Sequence, residues 1–393
     1  MPDLADPAEK TVFNSVRTGN RVRRVKLLVF AHTPPPHHGQ SYMVQLLLAG
    51  LERSGDIQCF HVNSRFSDDL KDIGRVRLEK IALVFKYCFQ AIALRFRHGV
   101  RCLYYIPASP SRAALYRDWL TMALCRAFFS TVIYHWEAAG LAEWLEQRGA
   151  AWERVVSRWL LGRPELSVVL AEYNRRDADY FRSRRTALVP NGVPDPCAQP
   201  PPRESAAALP EMFNVLFIGL CTREKGIFDA VEAVAFANSR DTNSRFRLLV
   251  AGGFWIEEEK AAFERRASEL RFADGSPQVE YRGFVSDKAK QMLFEESDCL
   301  LFPTYYSAES FGIVLVEAMA HGLPVITTRW RMIPELLPAG YPFVVQPQAP
   351  AEIAAALLRL RAEGTQWNLR QHYLDNFTER HFVEKMKAAL LSV

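Results

Sequence analysis

Phe302-Pro-Thr-Tyr-Tyr-Ser-Ala-Glu309-Ser-Phe-Gly-Ile-Val-Leu-Val-Glu317-Ala-Met-Ala-His-Gly-Leu-Pro-Val325 reads as the end of a buried strand, a polar loop, a helix and the start of another strand. The strand stops at Pro303, since proline brings no donor to a ladder. A helix is expected from near Ser310, with Gly312 in its first turn, where the missing side chain lets backbone approach a ligand. The free N–H groups of that turn and the helix dipole suit the loop to a diphosphate. Glu309 stands just before the helix, where a carboxylate can accept hydrogen bonds from sugar hydroxyls. Glu317, about two turns further on, suits a ribose diol. Taken singly, Glu309 also reads as a helix cap and Glu317 as half of a surface ion pair.

Working outward, the same unit recurs on both sides. Short apolar runs are predicted as strands at 25–31, 57–62, 102–106, 131–134, 167–170 and 187–189. A second set follows at 215–218, 246–251, 279–281, 299–302, 324–327 and 342–345. Longer helical patterns separate them, which implies two parallel sheets with helices on both faces. Between the sets, seven of the 23 prolines fall from Pro190 to Pro210, a stretch that can continue neither strand nor helix. The expected organisation is an extension (1–24), a first Rossmann-like domain (25–195), a proline-rich linker (196–212), a second Rossmann-like domain (213–377) and a C-terminal helix (378–393). That helix carries Phe382, Met386 and Leu390 on one face and can pack back on the first domain. Ligands of such sheets bind beyond the carboxyl ends of the strands, so the cleft between the domains is the expected site.

The 393 residues are 49% hydrophobic and 24% charged, the composition of a globular enzyme. Seven scattered cysteines without a CxxC pair point to buried thiols in a reducing, cytoplasmic setting. The segment Met1–Lys10 is acidic and has no apolar core, unlike a signal peptide. The stretch Ile81–Phe96 is too short to span a bilayer and is interrupted by Lys86. The net charge of +5 is uneven: residues 1–196 hold 28 Lys and Arg against 19 Asp and Glu, the rest 21 against 25. The first half is thus the one suited to an anionic partner. No nucleic-acid-binding module is recognisable, so no nucleic acid is expected.

Further segments carry chemistry. Phe217-Ile-Gly-Leu-Cys-Thr-Arg-Glu-Lys225-Gly226 follows a strand and offers Lys225 as a phosphate clamp, or merely as a solvated turn lysine. Tyr281-Arg-Gly-Phe-Val-Ser-Asp287 closes another strand, with Ser286 suited to cap the next helix. Ala31-His-Thr-Pro-Pro-Pro-His37-His38-Gly39-Gln-Ser41 opens the first helix, and Gly39 lets backbone N–H groups meet a phosphate. Its histidines lack a neighbouring carboxylate, which argues against a metal site. Val132-Ile-Tyr-His135-Trp-Glu137 ends a strand; a histidine there is commonly a satisfied polar residue.

Taken together, "ESFGIVLVEAMAHGLPVI" resembles the glutamate-x7-glutamate signature of family-4 retaining glycosyltransferases (glycosyl transferases group 1). The likeness extends from Val25 to the C-terminus. It implies the GT-B fold, two Rossmann-like domains with a cleft between them. It implies transfer of a sugar from a nucleotide-diphosphate sugar to a glycan or lipid-linked acceptor hydroxyl, with retention, in cell-surface polysaccharide or glycolipid synthesis. By the same likeness Glu309 contacts the donor sugar and Glu317 the ribose, while the backbone of Ser310, Phe311, Gly312 and Ile313 takes the phosphates. Lys225 belongs to the family's arginine–lysine loop, Phe284 marks the backbone that reads the base, and Gly39 lies in the glycine-containing first loop. His135 faces the donor sugar as a hydrogen-bonding residue rather than a nucleophile, with Glu137 on the acceptor side. The family has an arginine after the glycine matched by Gly219. Leu220 stands there instead, so either Arg223 takes its place or one phosphate contact is absent. The alternatives are an epimerase or phosphorylase built from the same parts, or a binding partner that has lost activity.

Two further features complete the expectations. Asp177-Ala-Asp179 matches a metal-binding DxD pattern but falls in a helical context, where Arg175 and Arg176 are expected to pair with the aspartates. No catalytic metal or other cofactor is therefore expected, and Lys225 with the helix N-terminus meets the diphosphate charge. From Arg75 to Arg101, seven basic residues surround an apolar stripe of Leu78, Ile81, Ala82, Phe85 and Phe89. The plain expectation is a core-facing stripe with a solvated basic face. The sharper one is peripheral contact with an anionic membrane, at its inner face.

Overall fold

The computed structural model describes residues 24–35, 39–66, 78–107, 110–196, 211–240, 245–364 and 366–393. The first sheet contains β1 (Val25–Ala31), β2 (Ile57–Asn63), β3 (Cys102–Tyr105), β4 (Thr131–Trp136), β5 (Leu166–Val169) and β6 (Thr186–Leu188). The second contains β7 (Phe213–Ile218), β8 (Phe246–Ala251), β9 (Val279–Gly283), β10 (Cys299–Phe302), β11 (Val325–Thr328) and β12 (Val344–Val345). Their orders are β2-β1-β3-β4-β5-β6 and β12-β11-β10-β7-β8-β9, and every pairing is parallel. Strands buried on both faces explain the near-continuous apolar runs. The strand order reverses between β1 and β3 in one sheet and between β7 and β10 in the other, which marks the crevices where ligands settle.

The helices of the first domain are α1 (Gly39–Ser54), α2 (Leu78–His98), α3 (Arg112–Cys125), α4 (Leu141–Gln147), α5 (Ala151–Leu160) and α6 (Arg175–Tyr180). Those that follow are α7 (Ile227–Arg240), α8 (Glu257–Glu269), α9 (Asp287–Glu295), α10 (Ile313–Ala320), α11 (Pro350–Glu363), α12 (Leu369–Asn376) and α13 (Glu379–Leu391). In the first domain one core lies under α2 and α3. A second lies on the opposite face of the sheet, where α1 meets Phe382, Met386 and Leu390 of α13. The C-terminal helix is thus a layer of the first domain. The chain crosses between domains beside residue 193: the Val193 N–H donates to the Phe377 carbonyl at 2.9 Å, and the Val193 carbonyl accepts from Glu379 N–H at 2.9 Å. The Tyr373 hydroxyl donates to that same carbonyl at 3.0 Å. Residues 1–23 and 197–210, which hold almost all of the extension and the linker, lie outside the described residues, as do His37, His38, Arg75 and Arg77.

Three expectations need correction. The helix after Glu309 starts at Ile313, with Gly312 as its N-cap at φ 73°, so Ser310 and Phe311 are loop residues and Glu317 lies only about one turn in. The cause is Gly312, whose φ of 73° lies outside the helical region; Phe311 before it is buried in the core of the second domain. Arg175 and Arg176 pair with Glu172 and Glu146, not with the aspartates. Asp177 instead accepts from the backbone N–H groups of Gly140 and Ala142 at 2.8 and 2.7 Å, capping α4. The third correction concerns α2: Ile81, Phe85 and Phe89 face solvent, and Val84, Tyr87, Cys88 and Ala91 form the buried stripe. Among the described residues no helix is long and apolar enough to cross a membrane.

Candidate functional site

The second domain gathers its site at the β7–β10 reversal. After β7, a single 3-10 turn (Arg223–Lys225) is capped by Thr222, whose hydroxyl accepts from the Lys225 N–H at 3.4 Å. The next residue, Gly226, has φ 82°, and a Cβ there would lie 2.3 Å from the Pro303 carbonyl oxygen. Only glycine lets the β7 loop press on the β10 loop this closely. That contact brings Lys225 to Glu309: Nζ to Oε2 is 2.6 Å. The same Glu309 oxygen accepts from the Thr304 hydroxyl at 3.0 Å, and the ammonium lies 4.9 Å from the Tyr306 ring centre. Glu309 is buried and Lys225 nearly so, so each charge depends on the other. Glu309 makes no cap; a sugar hydroxyl or a phosphate entering here meets a carboxylate and an ammonium already in register.

Glu317 projects from α10 and pairs with Lys290 of α9 at 2.6 Å, partly exposed. The ion-pair alternative is therefore realised in this structure. Phe284 is exposed at the end of β9, and Ser286, at the N-cap position of α9, makes no side-chain capping bond. Arg223 is exposed, with its guanidinium 4.6 Å from the Phe228 ring centre. It forms no part of the Lys225–Glu309 cluster.

The first domain closes over this loop. Gly39, the first residue of α1, faces Ile313, the first residue of α10: a Cβ on Gly39 would lie 2.9 Å from Ile313 Cδ1. Two helix N-termini thus bring their free N–H groups and positive ends to one gap. Burial, then the carboxylates of Glu317 and Glu379, push the Tyr42 hydroxyl up, which sets the first turn of α1 beside Glu317. Away from the gap, Glu335 accepts from the backbone N–H groups of Glu172 and Tyr173 at 2.8 and 3.1 Å. Arg331 reaches Glu143 at 3.2 Å and the Tyr173 hydroxyl at 3.1 Å. These contacts hold the domains together.

His135 lies in β4 on the sheet face covered by α1, since alternate residues share a face and Ile133 packs there. It is buried, and its Nδ1 lies 2.5 Å from the Tyr104 hydroxyl. Burial pushes the Tyr104 hydroxyl well above its usual range, so tyrosine keeps its proton, and Glu137 Oε1 lies 3.6 Å from the same Nδ1. Nε2 has no hydrogen-bond partner among the described residues. Burial lowers His135 to about 3, so the ring is neutral at physiological pH. Beside it, Glu137 Oε2 accepts from Asn191 Nδ2 at 3.1 Å, and burial pushes this carboxyl up to about 7. Glu137 Oε1 faces His135 Nδ1 at that 3.6 Å without a hydrogen bond, and Asn191 Oδ1 has no hydrogen-bond partner among the described residues. His135, Glu137 and Asn191 thus gather buried polar atoms that can hydrogen-bond a polar ligand. The hydrogen bonds of His135 stay within the first domain and those of Glu309 within the second.

The sequence did not single out Tyr104, Thr304, Lys290 or Asn191. Thr304 lies inside the decisive stretch, five residues before Glu309. Tyr104 is hidden in an apolar run, and nothing local marks Lys290 or Asn191.

Residues 203–379 match the family model described as Glycosyl transferases group 1. The colanic acid biosynthesis glycosyltransferase WcaL of Salmonella typhimurium, a putative assignment in its own name, is 27% identical over 149 residues, 37% of this chain and 35% of that one. The chain spans about a third of the length of the curated relatives it matches. Likeness of structure extends much further. Sucrose-phosphate synthase from Thermosynechococcus elongatus superposes with a TM-score of 0.68 at 18% identity, covering 94% of this chain and 99% of that one. Anabaena HepE, in complex with UDP and glucose, gives 0.64 at 16% identity, covering 94% and 100%. The fold is GT-B.

Proposed function

We propose, for a chain whose C-terminal half belongs to the group 1 glycosyltransferases and whose fold is GT-B, that it transfers a sugar from a nucleotide-diphosphate sugar to an acceptor hydroxyl with retention. Its place would be polysaccharide or glycolipid synthesis, as the colanic acid assignment of one relative suggests. The observation that carries the reading is the Lys225–Glu309 pair at the strand-order reversal, in the loop that leads into α10, whose N-terminus faces that of α1.

On this reading the diphosphate lies between the starts of α1 and α10, with Lys225 released from Glu309 to meet its charge. Glu309, still held by Thr304, accepts from the sugar hydroxyls. Glu317 exchanges Lys290 for the ribose diol. As the bond from the anomeric carbon to phosphate oxygen breaks, negative charge builds where the ammonium and the helix N–H groups already point. The neutral His135 presents its unpartnered Nε2 to a sugar hydroxyl. It holds no proton to give as an acid, and so acts by positioning. Closure of the cleft excludes water, which limits hydrolysis of the donor. The acceptor, a glycan or a lipid-linked glycan, enters along the first domain, with Glu137 near its hydroxyl.

A thermal-shift panel of nucleoside diphosphates and nucleotide sugars tests the reading. At least one nucleotide should raise the melting temperature, and that nucleotide's sugar should be transferred. A chain that no nucleotide stabilises is not this enzyme.

A further inference from the structure

We infer that the outer face of α2, α3 and α5 docks on the surface of an anionic phospholipid bilayer. An amphipathic helix in a globular domain turns its one apolar stripe to the core. α2 has two. Val84, Tyr87, Cys88 and Ala91 fill the core, while Phe85, Phe89 and Phe96 stand in solvent, with Phe89 73% exposed. α5 repeats the pattern: Trp152, Val155 and Trp159 face outward, Trp159 77% exposed. α3 lies between and joins the two, since Phe96 meets Phe128 at 5.9 Å just beyond its end and Tyr116 meets Trp152 at 6.1 Å near its start. The result is a continuous apolar face on one layer of the first domain, larger than scattered surface residues explain.

Charge selects the occupant. From Ile81 to His98, and on α3 and α5, the carboxylates are Asp118 and Glu153, and both are buried. Asp118 is held by Tyr105 and Arg117, Glu153 by Arg112 and Tyr116. Among the residues whose side chains are described, every charge this face shows to solvent is therefore positive, Lys86, Arg97 and Arg158 among them; Glu79, in the first turn of α2, lies outside that set. A second copy of the chain would set these cations against each other. A bilayer rich in anionic lipid offers the headgroup charge for Lys and Arg and the interfacial depth for Phe and Trp. The face lies on helices outside the Lys225–Glu309 cluster, so its failure would leave the transfer reading standing.

Flotation of the full chain with vesicles of phosphatidylcholine alone, and of phosphatidylcholine mixed with phosphatidylglycerol, tests this. The chain should float with the mixed vesicles at low ionic strength, much less with the neutral ones, and less again at high salt. Phe89→Ser with Trp159→Ser should weaken binding at least about tenfold. Lys86→Gln with Arg97→Gln should weaken it about fivefold per charge. Both double variants should keep the parent's melting temperature and nucleotide-induced shift, which separates loss of docking from loss of fold. The proposal is overturned by no flotation with anionic vesicles at low salt, or by flotation that neither double variant reduces. Light scattering that shows a dimer abolished by Phe89→Ser with Trp159→Ser would overturn it too, assigning the face to a second copy.

Discussion

Gly39 and Ile313, the first residues of two helices in different domains, stand so close that a single methyl on Gly39 would come within 2.9 Å of the Ile313 side chain. Ile313 also packs against both the core of the second domain and the α1–α13 core of the first domain. The domains are thus closed on each other at the point where two helix dipoles converge. A donor bound there is enclosed by backbone from both sides, and closure is sensitive to volume at one position.

Gly39→Leu should prop the gap open, because a branched side chain cannot share that space with Ile313. Donor affinity should fall about tenfold or more while the melting temperature moves by only a few degrees, the contact being at a cleft rather than in a core. Ile313→Ala in the same chain should restore most of the affinity. Calorimetric titration of the three proteins checks this, and unchanged affinity in Gly39→Leu would separate closure from donor binding.

Lys225→Met should destabilise the chain by about 3 kcal/mol, because it leaves Glu309 buried with only Thr304 as partner. Glu309→Gln in the Lys225→Met background should recover much of that loss. Urea unfolding of the two single variants and the double variant gives the coupling directly. Additive losses would show that the pair is not a unit.

How much of this was legible in the sequence follows from how local each signal is. The strand at Val25–Ala31 shows as an apolar run broken only by Lys26 because a central parallel strand is buried on both faces from Leu27 onward. The Glu309–Glu317 loop shows because its residues lie within one short segment. The α2 stripe misled because helical periodicity reveals that Ile81, Phe85 and Phe89 share a face but not which face meets the core. The cross-domain partners were not readable at all: Glu335 meets residues 172 and 173, and Lys290 meets Glu317, through tertiary placement alone. Asp177 and Asp179 looked like helix-surface partners for arginine, yet Asp177 is spent on the N–H groups of α4.

The buried cluster at β4 predicts a specific pH signature. Glu137, raised from 4.5 to about 7 by burial, binds its proton more tightly in the folded state. Its contribution is complete below pH 4.5 and is lost as pH rises through 7. His135, lowered from 6.5 to about 3, contributes fully above pH 6.5 and loses that as pH falls toward 3. Between 4.5 and 6.5 the two slopes oppose each other. Glu137→Gln removes the first, so the variant should gain on the parent by about 2.5 kcal/mol from pH 5 to pH 8. Urea midpoints across that range read the gain; parallel curves for parent and variant would contradict the burial argument.

Glu335→Ala should loosen the domains, since it removes a carboxylate that satisfies two backbone N–H groups across the interface. Faster hydrogen exchange at residues 172 and 173, with a larger radius of gyration in small-angle scattering, is the expected readout. The loss should be about 1–2 kcal/mol, in the range of a helix cap. Exchange as slow as in the parent would mean that Arg331 alone holds this edge.

The claim that Glu309 holds the sugar while Glu317 holds the nucleoside is tested most directly by calorimetry of Glu309→Ala and Glu317→Ala, with the nucleoside diphosphate and its sugar conjugate titrated in turn. The account predicts that Glu317→Ala weakens both ligands alike. It predicts that Glu309→Ala keeps the nucleoside diphosphate affinity within about threefold, loses the extra affinity of the sugar conjugate, and abolishes transfer. Transfer at the parent's rate by Glu309→Ala would contradict it.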